Sequence, residues 1–319
     1  MKKWLTGILI VAIVMIALLY VLIPGNIVIK KAVTVNVAPL AISRILIENR
    51  NWNKGWPGDD STIIKKDAGQ SVYFNGNSYS VTDWKYRSII LAIHRDDDMI
   101  ATASLNIIPI SKDSVKLDWE AIMPASNNPF SRFNSYRESK QIENDVEKML
   151  YKMASWFSKK TNVYKIEIRR ESVKDTALLS TYHSGNGYPK PELIYSMIGQ
   201  LKQYIASRQA VVTGYPMLNI YTKDSITYLT KVALPVDKRL PDSGTMTYKW
   251  MLPGGNILVS DVKGDQRAID KAFEQIEYYL ADYGLQSPAI PFLSLITDRM
   301  QEKDPSKWIT RIYYPVMDL

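Results

Sequence analysis

The chain contains no cysteine and only two histidines among its 319 residues. Without cysteine it can form no disulfide, no thiolate metal site and no cysteine nucleophile. His94 and His183 are too few for a three-histidine zinc site, and the H-E-x-x-H spacing of zinc hydrolases does not occur. We therefore predict no metal and no cofactor, and we assign no catalytic residue. Enzymatic activity stays open but is less favoured than binding.

Clustered charge is also scarce. The formal net charge is +8, but the adjacent basic pairs, such as Lys65-Lys66 and Arg169-Arg170, are spread along the chain. A nucleic-acid surface usually gathers its basic residues on one element. The pattern is typical of a solvated surface, so we predict no nucleic-acid partner.

One long apolar run stands at the start of the chain. Residues 5–23 are apolar apart from Thr6, Gly7 and Tyr20, and about 20 helical residues cross a hydrocarbon core. The run is longer than the apolar part of a cleavable signal peptide, about 7–15 residues, and no A-x-A-like cleavage site follows it. We predict a transmembrane signal anchor over residues 1–25, with a signal peptide cut near Gly25 and a buried soluble helix as the alternatives.

Basic residues set the predicted orientation of this anchor. Lys2 and Lys3 precede the apolar run, which holds the N-terminus in the cytoplasm. Lys30 and Lys31 weaken the bias because they put positive charge on the other side. The prediction is a single-pass membrane protein whose C-terminal domains are extracytoplasmic, either periplasmic or external.

Strands followed by one long helix are predicted for the first half. Apolar and polar side chains alternate over residues 115–123, which is the pattern of a half-buried strand. Residues 138–160 carry apolar side chains at helical spacing, from Ile142 to Phe157. Antiparallel strands followed by a single long helix indicate an α+β fold, with a curved sheet wrapped on the helix.

An internal repeat is predicted for the second half. Helices are indicated at 191–208 and 266–285, and each is followed by a strand that begins after a proline, Pro216 or Pro291. We interpret this as two copies of a strand–helix–strand–strand unit. Such a duplication commonly places a ligand cleft on the pseudo-two-fold axis between the copies.

The first half resembles the START/polyketide-cyclase superfamily, which has the helix-grip fold. The resemblance rests on the Trp52-x-x-x-Trp56-Pro57 loop, the antiparallel strands and the long helix. It implies a cavity between sheet and helix for an apolar or aromatic ligand. The candidate lining residues are Trp52, Trp56, Trp84 and Trp119, which could equally be ordinary core residues.

The second half resembles the gyrase-inhibitor-like effector-binding domain of bacterial transcription activators. The resemblance rests on four stretches of sequence: Val212-x-Gly214-x-Pro216, Leu252-Pro253-Gly254-Gly255, Val262-x-Gly264 and Asp304-Pro305-x-x-Trp308-x-Thr310-x-Ile312-Tyr313-Tyr314-Pro315-Val316. It implies a duplicated effector-binding domain with a cleft for small organic, often cationic, ligands.

One departure from this family changes the expected ligand. Leu293 and Leu295 stand where members that bind cations or hydrolyse substrates commonly carry an acidic residue and a tyrosine. A buried cation without a carboxylate partner is costly, so we expect a neutral apolar ligand. The candidate cleft residues are Tyr215, Tyr221, Trp250, Phe292, Leu293, Leu295 and Tyr314.

These observations predict an anchor at 1–25, a helix-grip domain at 26–172 and a gyrase-inhibitor-like effector-binding domain at 173–319. We expect non-catalytic binding of a small hydrophobic or amphiphilic molecule, with the membrane contacted through residues 5–23. A hydrolase or cyclase acting on a small hydrophobic substrate is one alternative. An envelope module that binds another protein is the other, and any protein partner is unknown.

Overall fold

The computed structural model describes residues 2–48, 56, 63–66, 69–174, 176–222, 224, 226–251 and 253–318. The chain divides into two compact units, Met1–Val163 and Tyr164–Leu319. Each unit combines helices with its own antiparallel sheet, which is the expected α+β class. Trp52, one of the candidate ligand residues, lies outside the described residues.

The first unit has one antiparallel sheet of seven strands and a long helix. Its elements are α1 (Lys2–Leu22), β1 (Asn26–Val35), α2 (Pro39–Ser43), a short π-helix (Arg44–Glu48), β2 (Ile63–Lys66), β3 (Gly69–Phe74), β4 (Asn77–Lys85), β5 (Ser88–Arg95), β6 (Asp98–Ser111), β7 (Ser114–Pro124) and α3 (Pro129–Phe157), with α4 (Lys160–Tyr164) at the division. The strand order is β1-β7-β6-β5-β4-β3-β2, and α3 packs on β1 and β7.

The core of this unit follows the predicted alternation of β7. Its five inward side chains are all at most 2% exposed: Val115, Leu117, Trp119, Ala121 and Met123. They lie beneath the apolar stripe of α3, in which Ile142, Val146 and Met153 have no exposed surface. Burial of both apolar faces against each other is what holds the helix in the curved sheet.

The long helix begins earlier than the predicted residue 138. The Asn128 side chain accepts hydrogen bonds from the backbone N–H groups of Phe130 and Ser131, at 3.0 and 3.3 Å, and Pro129 occupies the first turn. These capping residues start the helix, although Phe130 and Phe133 are exposed. Since the first turns bury few apolar residues, the apolar stripe begins late and periodicity alone misses this start.

Within the part of the chain that the structure describes, no helix meets the combined length and hydropathy that crossing a bilayer requires.

The second unit has an antiparallel sheet of eight strands and two long helices. Its elements are β8 (Arg169–Ser172), β9 (Ala177–Asn186), α5 (Pro191–Ser207), β10 (Met217–Thr222), β11 (Thr227–Pro235), β12 (Thr247–Trp250), β13 (Asn256–Lys263), α6 (Gln266–Tyr283), β14 (Leu285–Gln286), β15 (Phe292–Leu295), a 3-10 turn (Pro305–Lys307), β16 (Ile309–Pro315) and β17 (Met317–Asp318). The strand order is β12-β9-β11-β10-β15-β16-β13-β8, and β14 pairs separately with β17.

The middle of this sheet has the symmetry of a two-fold repeat. The order β9-β11-β10 is continued by its mirror order β15-β16-β13. Where the two copies meet, Leu218 of β10 pairs with Leu293 of β15. Each of these leucines lies two residues after the proline that opens its strand, Pro216 or Pro291. The alignment of Pro216 with Pro291 therefore agrees with the strand register, and the pseudo-two-fold axis passes through the leucine pair.

The two edge strands cross over between the copies. β8 precedes the first copy but pairs with β13 of the second, and β12 precedes the second copy but pairs with β9 of the first. β8 and β12 are thus equivalent strands. Because β8 belongs to this sheet, the second unit begins at Tyr164, before the expected boundary at 172/173.

Candidate functional site

A cavity of about 440 Å³ lies on one face of the sheet of the second unit. We call it the large cavity. Its apolar lining residues are Leu178, Met217, Ala233, Met251 and Phe292, together with Leu218 and Val232. These residues come from β9, β10, β11 and β15, with Met251 directly after β12, so the cavity lies across the meeting line of the two copies.

The cavity is on the sheet face that α6 does not cover. Tyr314 of β16 has its ring 6.3 Å from that of Phe273 on α6, so even-numbered residues of β16 face the helix. Ile312 shares that face and pairs with Leu293. Phe292 lies one residue away and therefore projects from the opposite face, into the cavity.

This alternation places the two leucines away from the large cavity. Leu293 and Leu295 are 8% and 3% exposed, and neither lines the large cavity. They point into the helix-covered core because they pair with Ile312 and Thr310, which are on the face of β16 that is turned towards α6. The departure from the family pattern at these positions therefore says nothing about the charge inside the large cavity.

A smaller cavity of about 130 Å³ shares Met217, Met251 and Phe292 with the large one. We call it the small cavity. The two are related by the repeat: Met217 pairs with Ala233 in the first copy, and Phe292 pairs with Tyr313 in the second. Tyr313 stacks on Phe292 with ring centres 5.0 Å apart. The first copy is open because the methyl side chain of Ala233 is too small to fill the space that the Tyr313 ring fills in the second.

Four other predicted cleft residues are not among the lining residues of the large cavity. Tyr215 and Trp250 are exposed, at 53% and 59%, and Trp250 projects from the face of β12 opposite Lys249. Tyr314 packs against α6, as described above. Tyr221 is on the cavity face but lies at its rim, where the Lys231 ammonium is 5.3 Å from the ring centre.

Phe292 is thus the one predicted cleft residue that lines the large cavity, and several lining residues were not predicted. Met217, Ala233, Tyr182 and Lys231 come from β9, β10 and β11. The sequence pattern does not show which face of the sheet each aromatic residue occupies, and only some of the aromatics of this sheet are on the cavity face. Met217 directly follows Pro216 as Phe292 directly follows Pro291, so the repeat alignment could have found it.

Three of the four candidate tryptophans of the first unit are described, and they are buried or half-buried. Trp119 is completely buried, Trp84 is half-buried on β4, and Trp56 is 3% exposed. The Trp56 ring lies 4.2 Å from that of Tyr79, and its carbonyl accepts a hydrogen bond from Lys152 on α3. Trp56 therefore closes the core between the sheet and α3.

A buried carboxylate lies beside this aromatic pair. Asp145 of α3 is 1% exposed. Its two carboxylate oxygens accept hydrogen bonds from the Asn75 amide at 2.6 Å and from the Tyr79 hydroxyl at 3.1 Å. Burial raises the pKa of Asp145 above its ordinary value despite these bonds.

The raised pKa makes the stability of the first unit depend on pH. An acid whose pKa is higher in the folded state binds more protons there, so its contribution is favourable below the unfolded value of about 3.9. The free energy of unfolding then falls as pH rises from about 4 through the folded pKa. Each pKa unit of difference is worth about 1.4 kcal/mol.

Asp145→Asn should remove this pH dependence while keeping the size and the hydrogen bond from Asn75. Urea unfolding between about pH 4 and pH 7 should show the variant gaining stability relative to wild type as pH rises. Asp113→Asn, at an exposed turn, serves as the control and should follow wild type. Equal pH slopes for wild type and Asp145→Asn would contradict the assignment.

No family model and no curated protein sequence matches the chain. Solved structures align with it at low identity. The EcmrR C-terminal domain is 14% identical, with a TM-score of 0.42, and covers 48% of this chain and 99% of its own. SAV2435 bound to tetraphenylphosphonium is 13% identical, with a TM-score of 0.33 and coverage of 48% and 94%. The Zhui aromatase/cyclase from Streptomyces sp. R1128 is 11% identical, with a TM-score of 0.32 and coverage of 41% and 92%. All three TM-scores are below 0.5, so these likenesses carry no weight for what this chain binds.

Proposed function

We propose that the second unit binds a small hydrophobic or amphiphilic molecule in the large cavity. One observation carries this proposal: the sheet forms an apolar cavity of about 440 Å³ in one copy, while a stacked tyrosine fills the equivalent space in the other. Small-molecule sites typically measure about 300–1,000 Å³ and are mostly apolar, with a few polar groups. The large cavity fits both criteria.

Binding without catalysis is the favoured activity. General acid–base catalysis mostly uses histidine or carboxylate side chains. The described residues that line the large cavity contribute lysine, hydroxyl and amide groups instead. These groups orient a ligand more readily than they exchange protons with it at neutral pH.

Two measurements test the binding function. Native mass spectrometry of the purified full chain should find a co-purified small molecule. Titration with the neutral fluorophore N-phenyl-1-naphthylamine should give a saturable increase in emission, because its fluorescence rises in an apolar site. Absence of saturable binding by this probe would overturn the proposed function.

We also infer the two family relationships. The first unit is START/polyketide-cyclase-like, supported by its single antiparallel sheet wrapped on α3. The second is gyrase-inhibitor-like, supported by its sequence motifs and by two strand–helix–strand–strand copies with matching register. A helix-grip ligand cavity in the first unit is part of this inference. It would involve Trp52, which is a candidate from the sequence alone.

On the sequence alone, we propose in addition that residues 5–23 anchor the chain in a membrane with its N-terminus in the cytoplasm. The apolar run of residues 5–23 supports this. The Arg132 guanidinium donates to the Ile23 carbonyl at 2.9 and 2.7 Å and lies over the Tyr20 ring, beside the end of α1. A cation at this end complements the helix dipole.

The anchor is testable by fractionation. Full-length chain should stay in the membrane pellet after carbonate washing, and a tag at its C-terminus should be inaccessible to a reagent confined to the cytoplasm. A variant with Ile10→Arg and Ile13→Arg should leave the pellet, because each charge at mid-membrane costs about 2.5–3.5 kcal/mol. Release of the wild-type chain by carbonate, or a mature protein beginning near Gly25, would contradict the proposal.

A further inference from the structure

The two cavities carry different charges at positions that the repeat makes equivalent. In the second copy, Arg311 of β16 pairs in register with Asp261 of β13. The two side chains form an ion pair with N–O distances of 2.6 and 3.1 Å. The equivalent pair in the first copy is Lys231 of β11 with Tyr182 of β9. Tyrosine thus replaces the aspartate, and the cation keeps its place without its counter-ion.

The edge strands differ in charge at a second pair of equivalent positions, and this difference also makes the large cavity more positive. Glu171 of β8 pairs with Ile257 and lines the small cavity. At the equivalent position, Lys249 of β12 pairs with Leu178 and lines the large cavity. The first copy therefore carries a lysine where the second carries a glutamate.

These two exchanges leave the large cavity with unbalanced positive charge. Lys231 and Lys249 are its only charged residues among the described lining. Across the described part of the chain, the ion pairs of the sheet involve other residues, such as Arg169 and Arg311 with Asp261. The two lysines lie on the strands that flank β9, on either side of the apolar floor.

We infer that the large cavity takes a small molecule with an apolar body and an anionic group, which Lys231 and Lys249 attract. This rests on the proposed binding function and names the ligand class for that site. The apolar body lies against Met217, Met251 and Phe292. The carboxylate, sulfonate or phosphate of the ligand supplies the counter-charge that Asp261 and Glu171 supply in the second copy.

A matched pair of probes tests the inference. 8-Anilino-1-naphthalenesulfonate and N-phenyl-1-naphthylamine share one aromatic framework, and the first adds a sulfonate. Both would be titrated against the full chain in nanodiscs of zwitterionic lipid, with empty nanodiscs as the blank. In Lys249→Glu, which restores the acid of the second copy, the affinity for the sulfonate probe should fall about tenfold. Exposed ion pairs are worth up to about fivefold each, and this change both removes an attraction and adds a repulsion. The neutral probe should change less than about twofold.

Two further variants separate a local effect from a general one. Lys231→Met keeps most of the apolar stem and should lower the affinity for the sulfonate probe about fivefold. Lys202→Glu changes the net charge as Lys249→Glu does. Because Lys202 lies on α5, this variant should leave the affinity for both probes unchanged. Raising the ionic strength from about 0.01 M to about 1 M should weaken only the sulfonate probe, because the screening length falls from about 30 Å to 3 Å.

The outcomes distinguish this inference from the function on which it rests. If wild type binds neither probe, the binding function itself fails. If the neutral probe binds and the lysine variants leave the sulfonate probe unaffected, the cavity is real and the anionic preference is wrong. An equal loss in Lys202→Glu and Lys249→Glu would likewise overturn the preference, because the effect would then be one of net charge.

Discussion

Ala233→Tyr should close the large cavity and reduce the affinity for N-phenyl-1-naphthylamine by roughly seventyfold. The new ring would take the position that Tyr313 has in the second copy, over Met217 instead of Phe292. A ligand that loses contact with about 100 Å² of apolar surface loses about 2.5 kcal/mol, at about 25 cal/mol per Å². Tyrosine suits a strand, so the fold should tolerate the change.

Fluorescence titration of the variant and of wild type measures this effect. Thr222→Tyr adds the same side chain at an exposed position at the end of β10 and should bind the probe as wild type does. Urea unfolding should show that Ala233→Tyr is folded. Wild-type affinity in a folded Ala233→Tyr variant would show that the probe binds elsewhere.

Trp119→Ala should lower the free energy of unfolding of the first unit by about 3–5 kcal/mol. Trp119 is completely buried on β7, beneath α3, and its removal leaves a void that neighbouring side chains refill only partly. Small domains have a free energy of unfolding of about 5–15 kcal/mol, so this loss would be a large fraction of their total stability. A tryptophan that lined an empty ligand cavity would cost less, because the space around it would already be unfilled.

Trp119→Phe sharpens this test. The indole N–H of Trp119 has no hydrogen-bond partner among the described residues, and phenylalanine removes that buried donor while keeping most of the apolar contact. We expect less than half the loss seen with alanine. Tyr151→Ala, at a side chain that is 76% exposed on α3, should cost about 0.5 kcal/mol or less. Urea unfolding followed by circular dichroism compares all three, and a loss below about 1 kcal/mol for Trp119→Ala would exclude a filled core.

Periodicity predicted much of the fold because burial acts on every residue of an element. The alternation over 115–123 predicted β7 and its buried side chains, and the apolar stripe after residue 138 predicted most of α3. The spacing of Pro216 and Pro291 predicted two copies whose register matches. The start of α3 was missed because a cap and a proline set it, without an apolar stripe.

Tertiary structure alone decided which residues line the large cavity. Successive strand residues point to opposite faces, so the choice between Phe292 and Leu293 as a cavity residue depends on which face the helices cover. That is a property of packing, which the sequence of one strand does not specify. By itself the sequence determined the element types, the repeat and the apolar start of the chain. β8 and β12 cross between the copies, so that Lys249 occupies the position equivalent to that of Glu171. This arrangement depends on pairing between residues far apart in the chain. Long-range pairing is fixed by the burial of the whole sheet, so no local pattern contains it.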